Sequence, residues 1–311
     1  MRQAKPRSFV SHNRILTLCC IMLVPAIQYG IRVFLLCGIA AAVSMLTELI
    51  CLYIRKKTFR LEHLEAAASG LLLALMLPAT VSYSVLIIAC IFAIIIGRQI
   101  FGGSENPLFP TASVGYVFAL LTWRDMILRV PANDGILPKG SCADILLTDS
   151  ASHLWNVSST ILKKPEEWVL MGERLPMGSC NILLLCVVLL VLILTRSTSF
   201  PTVLGVLISS CVLWTSTVYY AYVVDAFFYA CMMNMTLFAA MYLFGDPKTS
   251  PKGLFGLGYG LIAGCLSFLA VRILHIENAP VVLSILLQPV ALYMNTLYEK
   301  LNAAKAEEKP V

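Results

Sequence analysis

The sequence predicts an all-α polytopic membrane protein with about ten transmembrane helices, in two inverted five-helix repeats with one long extracytoplasmic loop. Composition is the first observation behind this fold class. Hydrophobic residues make up 59% of the 311 residues, and only 13% are charged. A soluble domain is nearer half apolar and a quarter charged. The second observation is that apolar stretches recur along the chain, many close to the roughly 20 residues of a membrane-spanning helix.

Ten apolar segments define the predicted helices. They cover residues 15–31, 33–54, 66–78, 84–100, 110–123, 182–196, 201–221, 224–243, 254–274 and 279–297. Two of them, 66–78 and 110–123, are short for a straight span. The predicted organisation is a cytoplasmic tail (1–14), a first membrane repeat (15–123), an extracytoplasmic loop (124–181), a second membrane repeat (182–298) and a cytoplasmic tail (299–311).

The lysine and arginine residues predict the orientation of these helices. Cytoplasmic segments of membrane proteins are enriched in both residue types. With the N-terminus inside, the inner segments hold most of the basic residues outside the long loop, and the short outer turns hold only Arg32 and Arg272. We therefore expect a multi-pass protein of the bacterial cytoplasmic (inner) membrane with both termini in the cytoplasm. Its surroundings would be lipid and protein, with no nucleic acid.

The two halves resemble each other weakly, and this is the third observation behind the fold class. In each half the third segment ends at a proline–threonine break, LMLPAT at 75–80 and LFGDPKTSP at 243–251. Because five spans is an odd number, a repeat of this size must be inverted in the membrane. Inverted repeats with broken helices commonly form binding sites.

Residues 97–116 are the stretch around which the first half is organised. Gly102 and Gly103 permit backbone conformations that side chains disfavour, and Arg98 and Asn106 are polar residues next to two predicted spans. Non-helical backbone this close to membrane depth is tolerated where protein or a polar cavity covers it. We interpret the stretch as a binding or coupling element, with a plain interhelical turn as the alternative.

Glu48 is the acidic residue that lies well inside an apolar segment of the first half. An ionisable group at membrane depth is a functional hypothesis by default. The sequence therefore makes Glu48 a candidate for ion coupling. The alternative is a position near the inner interface, paired with the basic cluster that begins at Arg55.

Cysteine and histidine patterns give no metal or catalytic site. Nine of the eleven cysteines lie in apolar stretches without any CxxC pair, where free cysteine behaves as a small hydrophobe. Cys142 and Cys180 bracket the long loop and would form a disulfide only in an oxidising compartment. His63 and His153 lack metal-ligand spacing. No phosphate-binding loop or Ser-His-Asp arrangement occurs, so we assign no catalytic residue.

Three ordered sequence blocks carry a resemblance to a known family. They are SGLLLALMLPAT (69–80), IIIGRQIFGGSENPLFPTASVGY (94–116) and FGDPKTSPKG (244–253). With these blocks and the spans between them, the chain resembles RnfD, a membrane component of the Rnf electron-transport complex. RnfD is homologous to NqrB of the sodium-pumping NADH:quinone reductase. The resemblance extends from about residue 15 to residue 298.

The resemblance implies a membrane subunit of a flavin-dependent ion-translocating oxidoreductase. Such a subunit passes electrons through flavin, couples this to sodium or proton transport, and is not catalytic alone. The expected partners are the other membrane subunits of an Rnf-type complex, peripheral NADH- or ferredoxin-oxidising subunits, and a flavin transferase. FMN is the expected cofactor, with riboflavin as a further one. A secondary transporter and a flavin-less scaffold subunit on the same inverted-repeat fold are the alternatives.

A covalent flavin site is also implied by the resemblance. The family carries FMN esterified through its phosphate to a threonine, in a Ser-Gly-Ala-Thr motif on the long outer loop. In this sequence the motif falls on Asp149-Ser150-Ala151-Ser152, which makes Ser152 the candidate acceptor. Serine supplies the necessary hydroxyl group, but Ser150 replaces the glycine of the motif and Ser152 replaces its threonine. An ordinary polar loop, or a copy without covalent flavin, is the alternative.

A noncovalent flavin or coupling region is predicted at the two breaks. Flavin binding needs cations and backbone donors near the phosphate, and glycine lets backbone N–H groups approach an anion closely. Asp246 has a second interpretation as the cap of the following helix. The candidates are Arg98, Gly102, Gly103, Asn106, Asp246, Thr249 and Ser250.

Overall fold

The computed structural model describes residues 7–58, 60–101, 108–132, 135–142, 144–158, 174–217 and 223–307. These residues are mostly helical. The helices are α1 (Arg7–Tyr29), α2 (Ile31–Ile54), α3 (Glu65–Met76), α4 (Tyr83–Phe92), α5 (Thr111–Thr122), α6 (Arg124–Leu128), α7 (Ala151–Ser158), α8 (Ile182–Leu194), α9 (Phe200–Thr217), α10 (Val223–Met232), α11 (Thr236–Ala239), α12 (Leu254–Leu274), α13 (Ala279–Leu286) and α14 (Gln288–Glu307). Two short strands, β1 (Arg129–Pro131) and β2 (Leu147–Asp149), form an antiparallel pair.

Each of the ten predicted apolar segments overlaps at least one of these helices in the described residues. Within the described ranges, five helical stretches are long and apolar enough to cross a membrane: Ile31–Ile54, Tyr83–Ile100, Phe200–Thr217, Phe227–Phe244 and Leu254–Leu274. The pair α13 and α14, bent by 50°, makes a sixth. Helices α3, α5 and α8 are apolar but only 12, 12 and 13 residues long. The structure is that of a helical, multi-pass membrane protein, while the count of ten spans and the inverted repeats stay predictions.

The chain leaves helical geometry at the predicted break after α3. Leu77 is extended, with φ −98° and ψ 156°, and Arg32 of α2 binds the carbonyl groups that follow. Its guanidinium donates to Ala79 O at 2.7 Å, to Val81 O at 2.8 Å and to Pro138 O at 3.1 Å. Arg32 is only 1% exposed, and a buried charge is tolerated when hydrogen bonds satisfy it. Arg32 therefore ties this break to the long loop.

Helices α9 and α12 pack through small residues. Gly256, Gly260 and Gly264 recur every four residues on α12. A Cβ atom at Gly260 would lie 2.3 Å from Thr202 O, and one at Gly264 would lie 1.9 Å from Ser209 Oγ. Small residues at this spacing let membrane helices approach closely. The two helices therefore approach closely, with backbone of α9 at Gly260 and the small Ser209 side chain at Gly264.

The described parts of the long loop pack on one end of the bundle, which we call the loop face and define by β1, β2 and α7. Trp155 of α7 is fully buried and stacks on Tyr229 of α10, with ring centroids 4.8 Å apart. Further along, Gly178 N donates to Leu75 O at 2.6 Å. The returning chain thus re-enters the bundle beside the end of α3.

Two helices end as π-helices, a rare geometry that is frequent at functional sites. Helix α4 continues as the π-helix Ala93–Ile100, and α11 continues as the π-helix Ala240–Phe244. The first contains Arg98, and the second leads directly into Asp246. Arg98 and Asp246 line the same cavity, so the two π-helices bring two distant sequence blocks together.

Candidate functional site

A cavity lies between the ends of the two π-helices, and we call it the network cavity. Its volume is about 60 Å³, well below the usual range of small-molecule sites. Three residues predicted from the sequence, Arg98, Asp246 and Thr249, line it. Polar residues that line it with them are Arg14, Ser69, Glu65, Thr111, Tyr242 and Lys248.

Glu48 of α2 contacts Arg98 and is completely buried. Its Oε1 atom is 2.8 Å from His63 Nδ1, and its Oε2 atom accepts a hydrogen bond from Gln99 Nε2 at 2.6 Å. Arg98 Nε lies 3.4 Å from Oε1. Arg55, the first residue of the basic cluster, donates to the backbone carbonyl of Gln99 at 2.6 Å. Glu48 therefore sits among three polar partners inside a predicted span.

Ion pairs continue from Arg98 across the network cavity. An Nη atom of Arg98 lies 3.9 Å from Glu65 Oε2, and Lys248 Nζ lies 2.5 Å from the same oxygen. Arg14 pairs with Asp246 at 2.9 Å. These contacts connect α1, α3 and α4 with the loop that follows α11. The first and second halves of the chain are thus joined by charge.

The charged network is the name we give to this whole group. It comprises Arg14, Glu48, His63, Glu65, Arg98, Gln99, Asp246 and Lys248. Its charged groups are three carboxylates and three cations that alternate in sign. The two other members are the imidazole of His63 and the amide of Gln99. A buried charge without a partner costs several kcal/mol, of order 3–5. The alternation of sign therefore explains how the bundle holds these charged groups near its interior.

The second-half break supplies the remaining predicted residues. Asp246 accepts a hydrogen bond from Lys248 N at 3.1 Å in addition to its pair with Arg14, so it belongs to the network. It does not cap the following helix α12, whose N-cap residue is Gly253 without a side-chain cap bond. Ser250 and Thr249 are buried, but Ser250 Oγ bonds Thr202 Oγ1 at 2.6 Å and faces helix α9. Three further candidates lie outside the described residues: Gly102, Gly103 and Asn106.

Sequence reasoning missed Arg14, His63 and Glu65 as members of the site. The sequence predicts Arg14 in a cytoplasmic tail, but α1 begins at Arg7 and carries it into the network cavity. Glu65 immediately precedes an apolar segment, which is a weak signal for an interfacial charge. The pairing of Arg14 with Asp246 spans 232 positions, and a single sequence holds no information about such a contact.

A second opening, which we call the loop-face cleft, lies at the loop face. Its volume is about 320 Å³, and its lining residues include Arg124, Asp149, His153, His275 and Glu277. Glu277 is 8% exposed, accepts a hydrogen bond from Ser150 Oγ, and lies 3.9 Å from His153 Nδ1. Burial raises the pKa of Glu277, while the Ser150 hydrogen bond and His153 oppose part of that rise.

Comparison with known proteins identifies the family. The model of the NQR2, RnfD, RnfE family matches residues 1–298. The chain belongs to the NQR2, RnfD, RnfE family. This confirms the resemblance that the three sequence blocks predict.

Several curated relatives are named as the D subunit of an ion-translocating oxidoreductase complex. The Salmonella arizonae protein is 36% identical over 88 residues, which is 27% of this chain and 25% of that relative. The Shigella flexneri protein is 34% identical over 119 residues, 36% of this chain and 34% of the relative. The Ectopseudomonas mendocina protein is 34% identical over 102 residues, 32% and 29% of the two chains. The chain thus matches about a quarter to a third of the length of these relatives.

The family resemblance implies FMN at Ser152, and the structure allows the fit to be tested. Ser152 lies at the start of α7 on the loop face and is completely buried. Its Oγ atom accepts a hydrogen bond from Asn234 N at 2.9 Å and lies 3.9 Å from Met233 Sδ. A phosphoester needs an accessible hydroxyl group and space for the phosphate. The residues packed around Ser152 provide neither, so they do not fit an esterified FMN.

The ion pairs in the network cavity also argue against a noncovalent flavin phosphate there. Its cations already face carboxylates, with Arg14 against Asp246 and Lys248 against Glu65. A flavin phosphate would have to displace one of these carboxylates. The described residues of the cavity therefore suit ion coupling better than phosphate binding.

The sequence allows a disulfide between Cys142 and Cys180 only in an oxidising compartment, and the structure has no bond between them. Cys142 and Cys180 are both free thiols. Cys180 is buried beside Met177, whose backbone oxygen lies 3.2 Å from its Sγ atom. Burial raises the pKa of the Cys180 thiol to about 12, so it stays protonated and unreactive at neutral pH.

Proposed function

We propose that this chain is a membrane subunit of an Rnf-type ion-translocating oxidoreductase complex, and that its charged network takes part in moving the coupling ion. Family membership and the names of the relatives support the first part. Glu48 carries the second part. It is a fully buried carboxyl group in the apolar helix α2, held by His63, Gln99 and Arg98. Ionisable groups at such depth mark ion and proton pathways in membrane proteins.

The chemistry of the network suits charge movement. Glu48 and His63 are 2.8 Å apart, a distance at which a carboxyl group and an imidazole exchange a proton. Arg98 lies 3.4 Å from Glu48 and 3.9 Å from Glu65, so its guanidinium can strengthen one pair as the other weakens. Lys248 shares Glu65 with Arg98. A change of charge at Glu48 would therefore reach the second half of the chain.

The inverted-repeat arrangement forms part of this proposal. Leu77, at the first break, accepts a hydrogen bond from Met177 N at 3.3 Å and lies toward the loop face. Asp246, at the second break, lines the network cavity together with residues of α1. Inversion requires the two breaks to lie at opposite ends of the bundle. Their placement supports two inverted five-helix repeats, with the network cavity toward the cytoplasm and the loop face outside.

Electron transfer through flavin, in partnership with other membrane subunits and a peripheral NADH- or ferredoxin-oxidising subunit, is proposed for the complex as a whole. Because the packing of Ser152 does not fit an ester, this proposal gives the chain the ion-coupling role and routes no electron through Ser152. Peptide mass spectrometry after co-expression with an active flavin transferase tests this point. We expect no FMN on the peptide that contains Ser152, as in a Ser152→Ala control, and an FMN adduct on Ser152 would contradict the assignment.

The ion-coupling role is tested in inverted membrane vesicles that contain the whole complex. Oxidation of the electron donor should drive uptake of sodium ions or protons, followed with a ²²Na⁺ tracer and a pH-sensitive dye. We expect Glu48→Gln to lower uptake roughly tenfold or more, because it removes the ionisable group and keeps the size. Glu299→Gln is the matched control, since Glu299 is 71% exposed and 3.9 Å from Lys252. Unchanged uptake in Glu48→Gln would contradict the role of the network.

A secondary transporter is the second candidate, and one observation favours it. Asn234 and Met235 both adopt left-handed backbone angles in the middle of an apolar span, with φ 54° and 56°. Broken helices of this kind form substrate sites in transporters. That candidate predicts solute uptake by the isolated chain in proteoliposomes without any electron donor. Membership of an oxidoreductase complex predicts no such uptake.

A further inference from the structure

The network cavity and the loop-face cleft lie at opposite ends of helix α5. The cavity reaches Thr111, the first residue of α5, and the cleft reaches Arg124, two residues after its end. Helix α5 has 12 residues, which corresponds to roughly 18 Å at 1.5 Å per residue. The hydrocarbon core of a bilayer is about 30 Å thick. The barrier between the two openings is therefore much thinner than the membrane.

Buried polar side chains cross this barrier where α5 packs against α13. We call this group, Ser113, Tyr116, Asn278 and Ser284, the polar seam. Ser284 Oγ donates to Ser113 Oγ at 2.8 Å, and Asn278 Nδ2 donates to the Tyr116 hydroxyl at 2.8 Å. The four side chains are at most 1% exposed. Ser113 and Tyr116 are three residues apart, so they lie on the same face of α5.

The polar seam continues into both openings. Gln288, the first residue of α14, has its Nε2 atom 3.5 Å from the backbone oxygen of Thr249, a residue of the network cavity. At the other end, Asn278 directly follows Glu277, which lines the loop-face cleft. Two hydrogen-bonded polar pairs, Ser113–Ser284 and Tyr116–Asn278, thus lie between Gln288 near the network cavity and Glu277 in the loop-face cleft.

One atom of the polar seam points to a ligand. Asn278 Oδ1 is buried and accepts no hydrogen bond from the part of the chain that the structure describes. Leaving a buried acceptor unsatisfied costs about 1–3 kcal/mol. The residue is otherwise fixed, because its backbone is left-handed with φ 56° and its N–H group lies 3.3 Å from Asn234 Oδ1. Amide and hydroxyl oxygens are suitable ligands for small hard cations.

We infer that the polar seam is the route of the translocated small cation between the two openings, with Asn278 Oδ1 as a transient ligand midway. This inference rests on the proposed function. It identifies the path by which the coupling ion passes between the charged network and the loop-face cleft. The shared chemistry is that of a sodium ion or a hydrated proton, since each is bound by neutral oxygen acceptors. The two ions are distinguished by the experiment.

Two substitutions test the polar seam in vesicles containing the whole complex. Asn278→Ala removes the amide oxygen, and Ser284→Leu fills the seam with an apolar side chain. We expect each to lower donor-driven uptake of ²²Na⁺ or of protons roughly tenfold or more, with normal assembly on native gels. Ser267→Ala is the matched control, because Ser267 is 3% exposed on α12 and its hydroxyl bonds its own helix at Ala263 O. It should keep uptake within about twofold.

The outcomes separate this inference from the proposed function. Uptake within about twofold of the unmodified complex in both seam variants would overturn the seam as the route. An unmodified complex that oxidises its donor but takes up neither ion would instead overturn the proposed function. If Asn278→Ala fails to assemble, Asn278→Asp preserves the size and adds charge. That variant should change the half-saturating ion concentration roughly threefold or more, and an unchanged value would count against Asn278 as a ligand.

Discussion

Glu48 shows how one buried carboxyl group organises its surroundings. Glu48→Ala removes the carboxyl group that lies 3.4 Å from Arg98 Nε and 2.8 Å from His63 Nδ1. Breaking a buried ion pair by deleting one partner costs about 3–5 kcal/mol. We therefore expect Glu48→Ala to lower the stability of the purified protein by roughly this amount, measured by thermal unfolding in detergent.

Glu299→Ala is the control for that measurement. Glu299 lies near the end of the described chain, exposed and 3.9 Å from Lys252, and exposed ion pairs contribute little to stability. We expect no measurable change in the unfolding temperature. If Glu48→Ala behaves like Glu299→Ala, the electrostatic account of the charged network is wrong.

The sequence predicts some of these residues and not others, for physical reasons. Glu48 is visible because a carboxyl group interrupts an apolar segment, and Arg98 and Asp246 are visible because they stand in polar breaks. Glu65 and Arg14 stand at the ends of apolar segments, where charged residues are common, so nothing marks them as network members. The burial of Ser152 is equally invisible, because it depends on how α7 packs against distant residues such as Asn234.

At the scale of elements, α9 and α12 depend on glycine. A Cβ at Gly260 would approach Thr202 O to 2.3 Å, whereas one at Gly258 would have no neighbour within 4 Å. Gly260→Val must therefore push the helices apart, and overpacking of this kind costs about 1–3 kcal/mol. Gly258→Val makes the same chemical change on the same helix without a clash. We expect a lower unfolding temperature for Gly260→Val alone, and equal temperatures in the two variants would exclude the close backbone contact.

Helix positions are the part of the fold that sequence predicts best. Apolar segments report burial in lipid or protein, and each of the ten overlaps at least one helix. The ends and irregularities are less predictable. The π-helical ends Ala93–Ile100 and Ala240–Phe244 and the left-handed residues Asn234 and Met235 depend on tertiary contacts. The docking of α7 through Trp155 likewise has no local sequence signal.

The docking of α7 depends on pH through Glu277. Burial raises the pKa of this carboxyl group above its ordinary value of 4.5. The folded state therefore binds more protons than the open state between those two pKa values, so stability falls as pH rises through that window. Asp149 adds to the rise in pKa, while Ser150, His153 and Arg124 oppose it.

The measurement is the hydrogen-exchange rate of the α7 amides divided by their intrinsic rate at each pH. We expect this ratio to rise as pH increases from about 4.5 toward neutral. Glu277→Gln has no carboxyl group to ionise and should show a flatter dependence. His153 is the internal comparison, because it lies 3.9 Å from Glu277 in the same cleft. A His153→Gln variant that removes the pH dependence, with Glu277→Gln leaving it intact, would assign the effect to the imidazole instead.

At the scale of the whole molecule, the charged network makes the two halves interdependent. Lys248 reaches Glu65 across 183 positions, and Arg14 reaches Asp246 across 232. Family membership follows from sequence because three blocks carry it in order. The geometry that joins those blocks does not, since it results from packing two sets of helices whose pairwise contacts are nonlocal. Fold class is therefore far more predictable than the site that the fold creates.

The distribution of charge also predicts the orientation of the molecule in the membrane. Arg55, Lys56 and Lys57 directly follow α2, and Lys248 and Lys252 precede α12, with Lys248 lining the network cavity. Basic clusters next to membrane helices are typical of cytoplasmic segments. We expect a green fluorescent protein fused after residue 311 to fluoresce in cells, because it folds only inside. Alkaline phosphatase inserted after the exposed Gly135 should be active, because it folds only outside. The reverse pattern would place the loop face in the cytoplasm, and the direction of ion movement through the polar seam would have to be inverted with it.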